Sequence, residues 1–333
     1  MSTPARPTNH MTASRGRERR PGLGSRLVAA RWSYLLLAPA VLLVLAFVVY
    51  PLVASYPYTL YNWNGVGTPS AYVGLENFRR VAQDSFFWAA FRHTFLYVLA
   101  VVPLQLLLSL ILALVLNNPK LRGRNLYRAL FFSPAVTSQL VMGIVIGFIF
   151  TGISEPLSRG LQSLGLLQRG ELLSLLSDPR TALWMIALVG VWHGIGYNMV
   201  YFLAALQGIP QELYEAARID GASPRQEFFR ITLPMLRAPG VVIVFLAVMG
   251  ALGVFELVVA LSGLGATSLL SGTEVVSTYI YRNAFGTQSA NVGFASAAAL
   301  FMGLLTIVLS VAQLLAYRAL GVRRPGLETE VRL

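Results

Sequence analysis

Residues Ile209–Pro234 read IPQELYEAARIDGASPRQEFFRITLP and hold four acids and three arginines. The chain around them is apolar: of 333 residues, 56% are hydrophobic and 12% charged. A soluble domain carries about twice that share of charge. The stretch lies between two long apolar runs, and its local chemistry is that of two short helices. Pro210 suits a first helical position, where its missing N–H costs nothing. Glu212 and Glu215 follow in the early turns, where the helix dipole favours acids, and Arg218 falls near the end. Leu213, Ala216 and Ala217 share one face. Asp220-Gly221 then stops the helix, with Gly221 suited to a left-handed position. Ser223 and Gln226 form a capping box around Pro224 and restart it. Phe228, Phe229 and Ile231 supply a second apolar side, and Leu233-Pro234 leads into the next run. A mere connector needs neither two caps nor a glycine stop. The segment therefore reads as a rigid helix-turn-helix whose small-residue surface docks a partner.

A helix crosses the roughly 30 Å hydrocarbon core with about 20 apolar residues. Six segments qualify, at about 34–53, 94–116, 129–151, 181–207, 239–262 and 290–317. Only the fourth and fifth contain Asp, Glu, Lys, Arg or His, namely His193 and Glu256. The first is too long for a signal-peptide core and reads as a retained anchor. Lys and Arg set the orientation. With the N-terminus cytoplasmic, the inner segments hold 7, 4, 4 and 4 basic residues, 19 in all, against 3, 3 and 1, or seven, outside. Both termini and the opening stretch are thus placed in the cytoplasm. The expected fold is an all-α integral membrane protein of six transmembrane helices over 32–318. An Arg-rich disordered tail over 1–31, touching anionic lipid heads, precedes it, and a short cytoplasmic tail over 319–333 follows. Outside, Leu75, Phe78 and Val81 at helical spacing predict a short surface helix before the second span.

Composition also excludes. The chain has no cysteine and three histidines, which argues against a metal site. Its net charge of +12 sits beside the apolar runs and follows membrane topology, so nucleic acid is not an expected partner. A phosphate-binding P-loop needs Lys followed by Ser or Thr. The one lysine, Lys120, precedes Leu121, so this chain has no ATPase site of that kind. Neither HExxH nor G-x-S-x-G occurs, so no catalytic residue is assigned.

What remains is polar chemistry at membrane depth, in GVWHGIGYNMVYF (190–202). Trp192, His193, Tyr197 and Asn198 either line a path for a sugar-like solute or bond across helices packed through Gly190/Gly194 and Gly143/Gly147. Glu256 is read as a pairing or gating carboxylate in preference to a proton relay. An ion-coupled transporter using Glu256 or His193 is the alternative from another class.

At Glu215-Ala216-Ala217, Asp220-Gly221-Ala222 and Ile231-Thr232-Leu233-Pro234 the chain resembles the membrane permease subunits of bacterial ABC importers. Val73–Phe78, Gly123-Arg124 through Pro134, Gln207–Pro210 and Thr278–Tyr281 with Phe285 resemble its carbohydrate-uptake branch. Departures are Ser262-Gly263-Leu264-Gly265-Ala266, where relatives have a glycine-rich TxGGP, and Ile146-Gly147, where a Trp is common. The resemblance implies a type I importer permease in the bacterial inner membrane, coupled through 209–234 by Glu215, Ala216, Ala217, Asp220, Gly221, Ala222 and Pro234. It implies a second permease, two cytoplasmic ATP-binding subunits that use ATP and Mg, and an extracytoplasmic solute-binding protein. No cofactor is expected on this chain itself. Ligand-facing positions would include His193, Gly196, Tyr197, Gly250 and Ala251, with Glu256 where the branch commonly carries an acid. A sugar is the expected solute, a glycerol phosphate the alternative.

Overall fold

A computed structural model describes residues 31–69, 71–168, 173–264, 272–286 and 290–319. The expected N-terminal tail before Arg31, the C-terminal tail beyond Ala319 and the Gly265-Ala266 departure lie outside the described residues. The chain divides into two compact units, Met1–Ser55 and Tyr56–Leu333. In the first, the described residues form helix α1, which runs Arg31–Tyr58 across the unit boundary. A π-turn at Leu45–Val49 interrupts it just before Pro51. Proline has no N–H to give the preceding turn, and a widened turn absorbs the missing bond. None of the residues of α1 is buried, as expected of an apolar helix whose surroundings are lipid or another chain.

The second unit opens with a two-stranded antiparallel ribbon, β1 Tyr61–Asn62 and β2 Ala71–Tyr72. Helices α2 Glu76–Gln83, α3 Ser85–Asn117, α4 Arg124–Val136, α5 Gln139–Ser163 and α6 Ala182–Gln207 follow. Next come α7 Gln211–Ile219, α8 Pro224–Met235 and α9 Arg237–Leu252. The chain continues with α10 Glu256–Ser262, α11 Val276–Phe285 and α12 Val292–Ala319.

The expected surface helix is α2, with one change of face. Leu75 is exposed at the N-cap, and Asn77 turns inward instead. Its amide donates to the carbonyls of Thr59 and Tyr61 at 2.8 and 2.9 Å, which tethers α2 to the ribbon. Asp84 then separates α2 from α3. One carboxylate oxygen caps α3 by accepting from Phe86 N at 2.8 Å, and the other accepts from the Tyr279 hydroxyl at 2.6 Å. One acid thus starts the second span and pins α11 to it.

At about 1.5 Å per residue, α3 is longer than a bilayer is thick. Its first turns pack outside the span, where Phe87 and Ala90 join Val81, Val276, Tyr279, Phe294 and Ala297 in an outer core. The central core sets Tyr97 and Val101 of α3 against Ile186 and Val189 of α6, Ala247 of α9 and Leu257 of α10. A third core, around Ala113, Met199, Phe202, Leu206, Leu236 and Ile243, holds the other ends of the same helices. Glycines make the closest approaches. A Cβ at Gly190 would strike the Tyr97 hydroxyl, one at Gly194 the Gln105 amide, and one at Gly143 would sit 2.5 Å from Ala260 Cβ.

Two expected spans are broken. The third divides into α4 and α5 at Thr137-Ser138, both outside the helical region, three residues after Pro134. The fifth stops at Leu252 and resumes at Glu256 after Gly253-Val254-Phe255. Apolar composition made each read as one helix, because hydropathy does not register a local change of backbone conformation.

Candidate functional site

The two breaks face each other across α6. Between them lies a cavity of about 660 Å³, lined by Thr137, Ser138 and Gln139 of the first break, Gly253, Phe255 and Glu256 of the second, and His193 and Tyr197 of α6. Backbone that leaves the helical ladder at membrane depth persists only where it is buried in protein or lines a watery space. Here both breaks border the same space. A neighbouring cavity of about 390 Å³ shares Gln139, His193, Tyr197 and Gly253 and continues between α3, α6 and α9. It adds Tyr97 and Gln105, then Asn198 and Tyr201, and closes against Gly250 and Ala251.

His193 stands where the two spaces meet. Its Nδ1 is 3.2 Å from Gln139 Nε2, and its ring centroid lies 5.9 Å from that of Tyr197. Tyr197 is edge-on to Phe132 of α4, with centroids 5.8 Å apart. Both rings of α6 thus brace the first break. Asn198 donates to Gly194 O at 2.9 Å, which leaves its carbonyl oxygen free to accept. Glu256 begins α10, where a helix dipole favours a carboxylate, and it shares the wall of the larger cavity with His193. Among the described residues the linings of both cavities carry one charged side chain other than histidine, Glu256, and no lysine or arginine. Hydroxyls, amides and aromatic rings make up the rest of the polar surface.

Of the residues singled out from sequence, His193, Tyr197, Asn198, Gly250, Ala251 and Glu256 line this space. Two do not. Trp192 is exposed on the opposite side of α6, because Gly190, His193, Gly194, Tyr197, Asn198 and Tyr201 follow the helical repeat and Trp192 falls outside it. Gly196 is a packing position: a Cβ there would lie 2.8 Å from Phe131 O and 2.9 Å from Ala135 Cβ. Its lack of a side chain lets α4 approach α6. Among the lining residues that escaped the sequence reading are Tyr97, Gln105 and Gln139. The two glutamines are polar interruptions in otherwise apolar spans, and that was their visible signal.

The charged stretch forms a second candidate site. Gly221 has φ +79°, and its N–H bonds Arg218 O at 3.1 Å while Ala222 N bonds Ala217 O at 2.9 Å. Ser223 and Gln226 make the capping box. Pro210 is the N-cap and Gln211 the first helical residue, one position later than expected. Arg218 and Glu227 pair across the turn at 3.0 Å, a bond that raises the affinity of Arg218 for its proton, and Tyr214 meets the Thr232 hydroxyl at 2.9 Å. None of the residues of α7 is buried, and Ile219 is 87% exposed. A π-turn at Phe228–Thr232 shifts the register of α8, so Ile231 packs inward while Phe229 stays exposed. From α8 the chain bends by 66° into α9, whose far end carries Gly250 and Ala251 at the cavity.

Comparison with known proteins places this architecture. The chain is 34% identical over 282 residues to the probable ABC transporter permease protein YurN of Bacillus subtilis, covering 84% of this chain and 94% of that one. It is 33% identical over 287 residues to the lactose transport system permease protein LacF of Rhizobium radiobacter, covering 86% and 93%. Its fold matches the crystal structure of a bacterial ABC transporter involved in import of the acidic polysaccharide alginate, with a TM-score of 0.72 at 24% identity over 89% of this chain and 98% of that one. The family model for the inner membrane component of binding-protein-dependent transport systems spans residues 105–323, which takes in both breaks, α6 and the charged knob, and this chain belongs to that family.

Proposed function

We propose that this multi-pass permease subunit forms half of the pathway for a neutral sugar or related polyol, and that the 211–235 knob transmits the motion of a cytoplasmic ATPase to the cavity. Membership in the family makes the chain the membrane component of an ABC importer, with ATP hydrolysis done by a separate subunit. The observation that carries the proposal is continuity. The exposed, capped knob passes through α8 and one bend directly into α9, and α9 supplies Leu246, Ala247, Gly250 and Ala251 to the cavity wall. Closure of an ATPase pair on the knob would move α9 as a lever and open the cavity to one side at a time. Glu215, Ala216, Ala217, Asp220, Gly221 and Ala222 are the docking surface in this reading, with Pro234 near the bend.

The solute class follows from the lining. Relatives named for lactose, starch degradation products and arabinooligosaccharides support a sugar. A relative named for sn-glycerol-3-phosphate raises the anionic alternative. A phosphate ester needs cationic or multiple N–H donors, and among the described residues the cavity offers Glu256 and no lysine or arginine. Amide, hydroxyl and aromatic groups suit a polyhydroxylated neutral ring. The remaining parts of the machine are a second permease, two ATP-binding subunits that use ATP and Mg, and a solute-binding protein outside the inner membrane. The test is uptake by the chain reconstituted with the permease, ATPase and binding protein encoded beside it. Uptake of a neutral sugar that requires ATP supports the reading. Uptake by this chain alone, driven by a proton gradient, would overturn it.

A further inference from the structure

The α3–α4 connection and the root of the knob enclose a separate cavity of about 1090 Å³, at the end of α3 remote from α2 and α11. Its wall carries Lys120, Arg124 and Arg128 from one side and Arg218 and Glu227 from the other. Arg218 and Glu227 neutralise each other at 3.0 Å. Among the described residues no carboxylate oxygen lies within 4.0 Å of the other three cations, and the one on the facing wall, Glu227, is already paired with Arg218. Among the described residues no hydrogen bond or ion pair engages the side chain of Lys120 or Arg124. Arg128 gives one N–H to Leu116 O at 2.8 Å, and its buried Nε has no acceptor. Two helices also begin at this cavity without a side-chain cap, α4 after Gly123 and α7 after Pro210. The positive-inside bias accounts for basic residues at this depth. It does not account for three of them lining one cavity without a carboxylate partner.

Free guanidinium and ammonium donors together with uncapped helix starts select a multiply charged oxyanion, and the volume accommodates an organic remainder beyond it. We propose that this cavity binds a phosphate-bearing cytosolic metabolite, its phosphate held by Lys120, Arg124 and Arg128. Such a ligand bridges the α3–α4 connection and the knob, and so adjusts how freely the knob moves. The regulatory consequence rests on the coupling role proposed above, whereas binding does not. The translocation cavity, without a lysine or arginine among the described residues, is not a competing site for the same ligand.

The experiment uses the full chain in phosphatidylcholine nanodiscs with radiolabelled inorganic pyrophosphate as the probe. Saturable binding of one equivalent per chain is expected, weakened at least tenfold in the Lys120→Ala/Arg124→Ala double variant and unchanged in Arg79→Ala on the opposite side of the molecule. Pyrophosphate should also raise the thermal midpoint of the wild type and leave that of the double variant unmoved. Absence of saturable binding, or equal binding by the double variant, overturns the proposal. Discs containing phosphatidic acid separate the two sources of phosphate. Persistence of pyrophosphate binding there supports a soluble ligand, and its loss assigns the site to a lipid headgroup and overturns the soluble one. Because no transport is measured, the outcome is independent of whether the coupling role holds.

Discussion

Replacement of Gly221 separates the shape of the knob from its chemistry. The residue sits at φ +79°, and a Cβ added there meets nothing within 4 Å. Alanine therefore introduces no clash, and its whole cost is the left-handed conformation, about 1–2 kcal/mol for an L-residue. That corresponds to a rise of about 5- to 30-fold in the population of the opened knob. Asparagine tolerates the conformation better and should cost less. Proline cannot adopt it at all and also removes the N–H that bonds Arg218 O, a loss of about 3 kcal/mol or more. Trypsin reads the opening directly, because Arg218, Arg225 and Arg230 lie within the two helices. Where reclosing is faster than cleavage, the cleavage rate tracks the open population. Cleavage should rise in the order Gly, Asn, Ala, Pro, with Ala about 5- to 30-fold above wild type. ATP-dependent uptake should fall in the same order while membrane insertion is unchanged. If Ala and Pro are cleaved no faster than wild type, the left-handed stop does not hold the knob together. If they are cleaved faster and uptake is normal, the knob is not the coupling element.

Two further outcomes follow from the cavity and the outer layer. His193→Ala and Tyr197→Ala should each raise the KM for uptake by about 2- to 12-fold, the worth of one hydrogen bond at roughly 0.5–1.5 kcal/mol. Trp192→Ala, on the opposite side of α6, should leave KM unchanged, and equal effects at all three positions would return α6 to a packing role. Glu274 is buried and pairs with Arg282 at 2.7 Å, yet burial holds its proton affinity above the ordinary carboxylate range, against the pull of Arg282. A carboxyl whose folded pKa is raised contributes stability at pH values below its unfolded pKa and loses it as pH rises through the folded value. The thermal midpoint of the wild type should therefore fall as pH rises above the ordinary carboxylate range by a margin that Glu274→Gln lacks, and parallel pH profiles for the two would refute this assignment.

The charged stretch was legible because its rules are local. A capping box, a glycine stop and a dipole-matched charge order depend on residues within one or two turns, so Ser223, Gln226 and Gly221 could be assigned by spacing alone. The spans were legible for a comparable reason: a helix in lipid satisfies its own backbone, and composition over about 20 residues decides it. The family resemblance, carried by Glu215–Ala222 and Ile231–Pro234, agrees with the family to which the chain belongs.

What lay beyond the sequence depends on which faces meet. Whether span three runs unbroken through Thr137-Ser138 depends on what surrounds that backbone, and there it lines a cavity with His193, 56 residues beyond Thr137. The same dependence explains Trp192 and Gly196. Both share the polar segment of α6 with His193 and Tyr197, but the approach of α3 and α4 decides which side of that helix opens on the cavity. Arg128 could be counted as an inside charge from its position in the chain. That it lines one cavity with Arg218 at the root of the knob is a property of two segments 90 residues apart, and only the tertiary structure brings them together.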